Sequence, residues 1–309
     1  MVVLVGLLAV ACGADKKRQS TPDESGQSLA EKGPATLSVY TVNYPLQYFA
    51  ERIGGDFVEV TCPAPPDVDP AYWAPSAEQI AGYQQADLIL LNGAGYAKWL
   101  GRATLPTGKL VDTSAAIQER LLPLDEGLVH SHGPEGEHSH KGYAFTTWLD
   151  LQLAIEQARA VKEAFVSALP EQADNFQASL DSLTAKMVEL DGRLESLTAR
   201  IGDQPLLFSH PVYQYLTARY GLNGRSVHWE PDEAPTQEQW LELEAILVDH
   251  PAQWMIWEGE PLEDTARRLV DVGIQSIVYD PGANAPSGGN LLSLMEENAT
   301  SLAAIGGQE

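Results

Sequence analysis

Basic residues are scarce in this sequence. Its 309 residues include 19 lysines and arginines against 43 aspartates and glutamates, which gives a formal charge of -24 at pH 7. A negative field of this kind repels nucleic acid and anionic lipid, and it raises the local concentration of cations. The composition therefore argues against nucleic acid or another polyanion as the partner. We interpret most of the carboxylates as well-solvated groups on the protein surface.

Cysteine is almost absent, and so is an apolar run long enough to cross a bilayer. The run at residues 1–12, "MVVLVGLLAVAC", is too short to span a membrane. It resembles a bacterial lipoprotein signal in which Cys12 becomes the lipidated first residue, with a plain secretory signal as the alternative. The polar residues 13–35 predict a disordered tether. If Cys12 carries lipid, Cys62 is the only other cysteine, and a disulfide framework is excluded.

The motifs of hydrolytic enzymes are also missing. The sequence contains no H-E-x-x-H pattern, and no serine or cysteine stands in a recognisable nucleophile elbow. A zinc hydrolase is therefore the weakest interpretation, and we expect a protein that is not an enzyme.

Short apolar runs alternate with helical patterns beyond residue 35. The run "DLILLNG", for example, is bounded by turn residues and is typical of a parallel strand covered on both faces. This alternation predicts an α/β fold with mainly parallel sheets flanked by helices. One long helix at residues 171–201, about 45 Å in length, interrupts the pattern. We expect an N-terminal lobe at residues 36–170, this connecting helix, and a C-terminal lobe at residues 202–309.

Four of the seven histidines lie in one loop, "HSHGPEGEHSH", at residues 130–140. Zinc in proteins prefers about four nitrogen, oxygen or sulfur ligands, and imidazole is a favoured donor. A histidine tract interleaved with glycine and serine is also typical of metal binding without fixed geometry. The loop therefore indicates metal binding.

Several stretches of the chain resemble the zinc/manganese solute-binding proteins of ABC importers (cluster A-I). They include "VYTVNYPLQYFAERIGG", "TTWLDLQLA", "FSHPVYQYLTARYGL" and "IVYDPG", and they follow the order of that family. The resemblance implies two lobes on a rigid connecting helix and a metal in the cleft between them. It also implies docking onto a membrane permease, an extracytoplasmic location and no catalysis.

The resemblance transfers to this chain only part of the metal-ligand set of the family. The first ligand, a histidine, is replaced by Ala71 in "DPAYWAP", and the second by Thr146 in "TTWLD". The third is retained as His210 in "FSHPVYQYL", and the fourth, an aspartate, as Asp280 in "VYDPG". One imidazole and one carboxylate alone would leave a weak, open site.

We expect the histidine loop to complete this site, with His138 and His140 as ligands because they lie closest in sequence to Thr146. His130 and His132 are assigned to capture or to a second ion. The alternative is that the whole loop is a mobile collector. Glu230 and Glu258 follow predicted strands and could complete the site or accept a hydrogen bond from a ligating imidazole. His250, in "VDHPAQW", is interpreted as a surface residue at a helix end.

The donor set leads us to expect Zn²⁺, with Mn²⁺ or another divalent transition metal as the alternative, because imidazole suits zinc and carboxylates suit manganese. The expected protein is a monomeric binding component of an ABC importer. It contacts the membrane only through a lipid anchor and delivers the ion to a permease. The competing hypothesis, which rests on Ala71 and Thr146, is a diverged binding protein that has lost the metal and binds another solute or partner.

Overall fold

The computed structural model describes residues 36–66, 68–124, 129–131, 137–139 and 142–307. The predicted signal at residues 1–12, with Cys12, and the predicted tether at residues 13–35 lie outside the described residues. So do His132 and His140. None of the helices in the described ranges is long and apolar enough to cross a membrane.

The N-terminal lobe is built on a parallel sheet of four strands in the order β2-β1-β3-β4. Its elements are β1 (Leu37–Thr41), α1 (Tyr44–Gly54), β2 (Val58–Thr61), α2 (Ala77–Gln85), β3 (Leu88–Leu91) and β4 (Leu110–Asp112). Helix α1 begins where the Asn43 side chain accepts a hydrogen bond from the Leu46 amide. It ends at Gly55, whose φ of 51° favours glycine.

The histidine loop contains two short strands, β5 (Val129–Ser131) and β6 (Glu137–Ser139). They pair antiparallel, with His130 opposite His138 in the register.

Two helices follow the loop, α3 (Leu151–Ala168) and α4 (Ala173–Ile201), with a turn of 3₁₀ helix between them. Helix α4 has 29 residues and is therefore about 43 Å long. Its buried stripe repeats every three or four residues, as in Phe176, Leu180, Leu183 and Met187, and it packs against α1, α3 and α8 (Leu291–Ala303). The long helix expected from the sequence is confirmed.

The C-terminal lobe repeats the architecture with a parallel sheet in the order β10-β9-β7-β8. Its elements before α8 are β7 (Pro205–Phe208), α5 (Gln214–Tyr220), β8 (Asn223–Ser226), α6 (Gln237–Asp249), β9 (Trp254–Trp257), α7 (Glu263–Asp271) and β10 (Gln275–Val278). The predicted fold class, two α/β lobes with parallel sheets and one long helix, is confirmed.

One apolar core extends through both sheets. It includes Val39 and Leu90 in the N-terminal sheet, Phe176 in α4, and Leu206 and Ile256 in the C-terminal sheet. Successive residues of a strand face opposite sides, so the neighbours of these C-terminal residues pack into a second, smaller cluster. That cluster contains Leu207, Met255, Trp257, Trp229 and Trp240.

Candidate metal centre

Four polar side chains follow the carboxyl ends of the four strands of the C-terminal sheet. His210 comes two residues after β7, Glu230 four after β8, Glu258 directly after β9, and Asp280 two after β10. Parallel strands bring their carboxyl ends to one edge of the sheet, where open α/β folds place ligands. All four side chains line one cavity, which residues of the N-terminal lobe such as Tyr72 also line.

Three of these residues bring their ligand atoms together. His210 Nδ1 lies 3.5 Å from a Glu230 carboxylate oxygen and 4.0 Å from a Glu258 oxygen. The candidate ligand atoms of the three side chains all lie within 4.8 Å of one another. Ligand atoms about 2.0–2.2 Å from a tetrahedral zinc are roughly 3.3–3.6 Å apart. If the ligand atoms of these three side chains moved slightly closer together, they would be spaced to hold a zinc ion.

The carboxylates of the cleft are held in an unfavourable electrostatic environment. Burial, together with the nearby Glu230, Asp69 and Asp280, raises the pKa of Glu258 to about 8. Burial also raises the pKa of Glu230, with further contributions from Asp232, Glu233 and Asp69. A bound cation would relieve both the repulsion and the lost hydration.

Asp280 is held in a tight turn beside the cluster. One of its oxygens accepts a hydrogen bond from the Gly282 amide at 2.7 Å, and its own backbone is paired with the Asn298 side chain. Burial raises the pKa of Asp280, although the bond from Gly282 lowers it. Asp280 therefore adds negative charge to the cleft from a fixed position.

At each of the two positions that lack the expected histidine, the residue present is buried and takes part in a hydrogen bond. Ala71 is fully buried, and its amide donates to a carboxylate oxygen of Asp69 at 2.8 Å. The Thr146 hydroxyl donates to the Val212 carbonyl at 2.6 Å and so links the two lobes. Both residues have local packing or bonding roles of their own.

Asp69 and His228 also lie around the site, and Asp69 was not among the residues predicted from the sequence. Asp69 lines the cavity from the N-terminal lobe. Its position in the connection after β2, at the ligand-binding edge of a parallel sheet, was the available signal. The His228 ring stands nearly perpendicular to the His210 ring, with 5.8 Å between centroids.

The remaining predicted histidines divide into two groups. His130 and His138 are placed only by their strand register, and the side chains of the whole loop, including His132 and His140, lie outside the described residues. Their role as ligands stays a prediction. The interpretation of His250 as a surface residue is wrong, because it is 5% exposed and its Nε2 lies 2.8 Å from the Leu206 carbonyl oxygen.

Replacing Ala71 with histidine is expected to destabilise the protein rather than to add a ligand. Forcing a larger side chain into a packed position costs about 1–3 kcal/mol. Urea unfolding measures this loss, and Ala77→His, at an exposed position on α2, is the matched control with a change within about 0.5 kcal/mol. Unchanged stability combined with tighter zinc binding by Ala71→His would contradict this interpretation.

Comparison with known proteins identifies related sequences. Residues 39–305 match the family described as ZnuA, zinc-uptake complex component A, periplasmic. The zinc-binding lipoprotein AdcA of Streptococcus pneumoniae is 23% identical over 293 residues, which cover 91% of this chain and 58% of AdcA. The high-affinity zinc uptake system protein ZnuA of Bacillus subtilis is 26% identical over 262 residues, which cover 82% of this chain and 77% of the relative. The chain thus spans little more than half the length of AdcA.

Solved structures show the same architecture. The metal-dependent lipoprotein YcdH from Bacillus subtilis superimposes with a TM-score of 0.74 at 22% identity, and the match covers 87% of this chain and 98% of YcdH. At this level of identity the likeness concerns the fold.

Proposed function

The chain belongs to the ZnuA family of periplasmic zinc-uptake components, and from this premise we propose that it captures a divalent transition metal for an ABC importer. The observation that carries the proposal is the convergence of His210, Glu230 and Glu258, whose candidate ligand atoms lie within 4.8 Å of one another. The family is one of transport binding proteins rather than enzymes, in agreement with the sequence analysis. In this role the protein delivers its ion to a membrane permease.

Zinc is the proposed ion. His210 supplies the imidazole that zinc favours, and the relatives from Streptococcus pneumoniae and Bacillus subtilis are named for zinc binding and zinc uptake. The carboxylates of Glu230, Glu258 and Asp280 suit manganese as well, so Mn²⁺ is the principal competitor. The site is completed in this proposal by His138 and His140 of the loop.

We propose that the protein is exported, anchored to the membrane by lipid and built of two lobes. Residues 1–12 act as an export signal, Cys12 anchors the protein to the membrane through lipid, and residues 13–35 serve as a tether. The functional lobes are residues 36–170 and 202–309, joined by residues 171–201, and the protein acts as a monomer outside the cytoplasm.

A metal titration tests the proposed function directly. Chelator-stripped protein is titrated with ZnCl₂ in a calorimeter, then with MnCl₂ as competitor. We expect saturable binding of one zinc ion to the cleft, with weaker manganese binding. Absence of saturable binding by either ion would favour the competing hypothesis of a diverged protein that lost its metal, which is supported by the local roles of Ala71 and Thr146.

Deleting residues 129–140 tests whether the loop completes the site. If His138 and His140 are ligands, the deletion weakens the high-affinity event itself, because two nitrogen donors are lost from one coordination shell. Affinity of the intact protein also falls as the pH drops below about 8, where Glu258 takes up a proton, and falls further below about pH 6, where imidazole becomes protonated. Calorimetry that still detects tight binding of one zinc after the deletion, with only weak extra sites lost, would identify the loop as a collector.

A further inference from the structure

The cleft is larger than an ion requires. Its volume is about 650 Å³, whereas one water molecule occupies roughly 30 Å³ in the liquid. Cavities of roughly 300–1,000 Å³ are typical of small-molecule sites. The volume therefore leaves room for an organic ligand beside the metal.

The two walls of the cleft differ in chemistry. The wall from the C-terminal lobe carries the ligand cluster of His210, Glu230 and Glu258. The opposite wall is largely aromatic: Phe145 packs edge-on against Tyr96 at 5.2 Å and against Tyr72 at 6.3 Å between ring centroids. An apolar surface of this kind suits the body of a small ligand, and the Phe145 ring has no donor atom with which to coordinate a metal ion.

Lys98 places a positive charge on the aromatic wall. It is the only lysine or arginine among the described residues that line the cavity, and its ammonium lies 5.3 Å from the centre of the Phe145 ring. An ammonium group repels a bare metal cation but pairs well with a carboxylate. Burial lowers the pKa of Lys98 and the nearby Asp69 carboxylate opposes that shift, so Lys98 already has one acidic neighbour in the cavity, and a ligand carboxylate would be a second partner for it.

We propose that the cleft binds its metal as a complex with a small α-amino acid, whose carboxylate pairs with Lys98 while its nitrogen donors complete the metal's coordination. This inference rests on the proposed metal-binding function, but it assigns the remaining coordination positions to the amino acid in place of His138 and His140. The surplus of carboxylates at Asp69, Glu230, Glu258 and Asp280 selects a complex with net positive charge. A zinc ion with one amino-acid anion meets that requirement, whereas a polyanionic chelate such as zinc citrate is repelled.

The test measures zinc and amino acid separately. Chelator-stripped protein is dialysed to equilibrium against radiolabelled L-histidine with and without ZnCl₂, and zinc affinity is measured by calorimetry with and without L-histidine. We expect one histidine to be retained per protein only when zinc is present. We also expect the zinc–histidine complex to bind the wild-type protein about tenfold more tightly than it binds Lys98→Met, because the variant lacks one charge-assisted hydrogen bond.

Matched variants and ligands separate the outcomes. Lys98→Met is expected to bind ZnCl₂ alone at least as tightly as the wild type, because the substitution removes a positive charge from the cleft, whereas Lys186→Met, on α4 and outside the cleft, behaves as the wild type throughout. If zinc binds alone, and histidine only removes zinc from the protein to the same extent in both variants, this inference is overturned. The proposed function then remains intact. Failure of zinc to bind with or without histidine overturns the proposed function itself.

Discussion

Glu258→Gln is expected to stabilise the metal-free protein at pH 8 by on the order of 4 kcal/mol, because the pKa of Glu258 is raised by burial and one pKa unit corresponds to about 1.4 kcal/mol. The pKa of Glu258 is about 8 in the folded protein, against an ordinary value of 4.5 for a glutamate carboxyl. Below pH 4.5 the carboxyl is protonated in both the folded and the unfolded chain. Between pH 4.5 and 8 the unfolded chain releases the proton that the folded chain retains, so stability falls as pH rises. Glutamine cannot ionise and escapes this loss.

The same substitution is expected to weaken zinc binding, since it removes an anionic donor from the cluster with His210 and Glu230. Urea unfolding in the presence of chelator at pH 5 and pH 8 measures the first effect, and zinc calorimetry measures the second. Glu260→Gln, at an exposed position two residues further along, is the control and changes neither. A stability difference between Glu258→Gln and wild type that stays constant from pH 5 to pH 8 would refute the electrostatic account.

His210→Ala is expected to remove most of the stabilisation that zinc gives to the folded protein. At a free zinc concentration of 100 times the dissociation constant, a bound ion stabilises the native state by about 2.7 kcal/mol. A 100-fold loss of affinity would reduce this to about 0.4 kcal/mol at the same concentration. The shift of the thermal midpoint on adding zinc reports the change.

A second buried histidine of the same lobe provides the control for His210→Ala. His210 is 9% exposed and His250 is 5% exposed, but His250 does not line the cleft cavity, and its Nε2 lies 2.8 Å from the Leu206 carbonyl oxygen. His250→Ala should cost about 1–3 kcal/mol of stability by leaving a buried carbonyl without its partner. The zinc-induced increment should remain that of the wild type. Equal zinc increments in wild type and His210→Ala would exclude His210 as a ligand.

The sequence was sufficient for the architecture because periodicity and strand length carry that information. The apolar run that became β3 and the stripe of α4 each matched one kind of element. Glu230 and Glu258 could be selected because parallel strands end at one edge of their sheet. Their mutual distances could not be predicted, since these depend on the twist and spacing of β7, β8 and β9.

Side-chain direction in loops was the main limit of the sequence analysis. The sequence indicated that Ala71 and Thr146 replace two ligands, but it could not show that the Ala71 side chain is buried or that the Thr146 hydroxyl donates to the Val212 carbonyl. Asp69 was overlooked because nothing in "DPAYWAP" states which residue faces the cleft. The sequence pattern around His250 marked a helix end, but its burial depends on contact with β7, which is distant in sequence.

The apolar core that surrounds α4 has a consequence for cooperativity. Because this core contains residues of both sheets, neither lobe can melt without exposing apolar surface of the other. The described residues from Thr36 onwards also belong to one compact unit. Heat should therefore unfold both lobes in a single all-or-none transition. An ion held by the C-terminal sheet would then protect the N-terminal sheet from unfolding to the same extent, although it touches few of that sheet's residues.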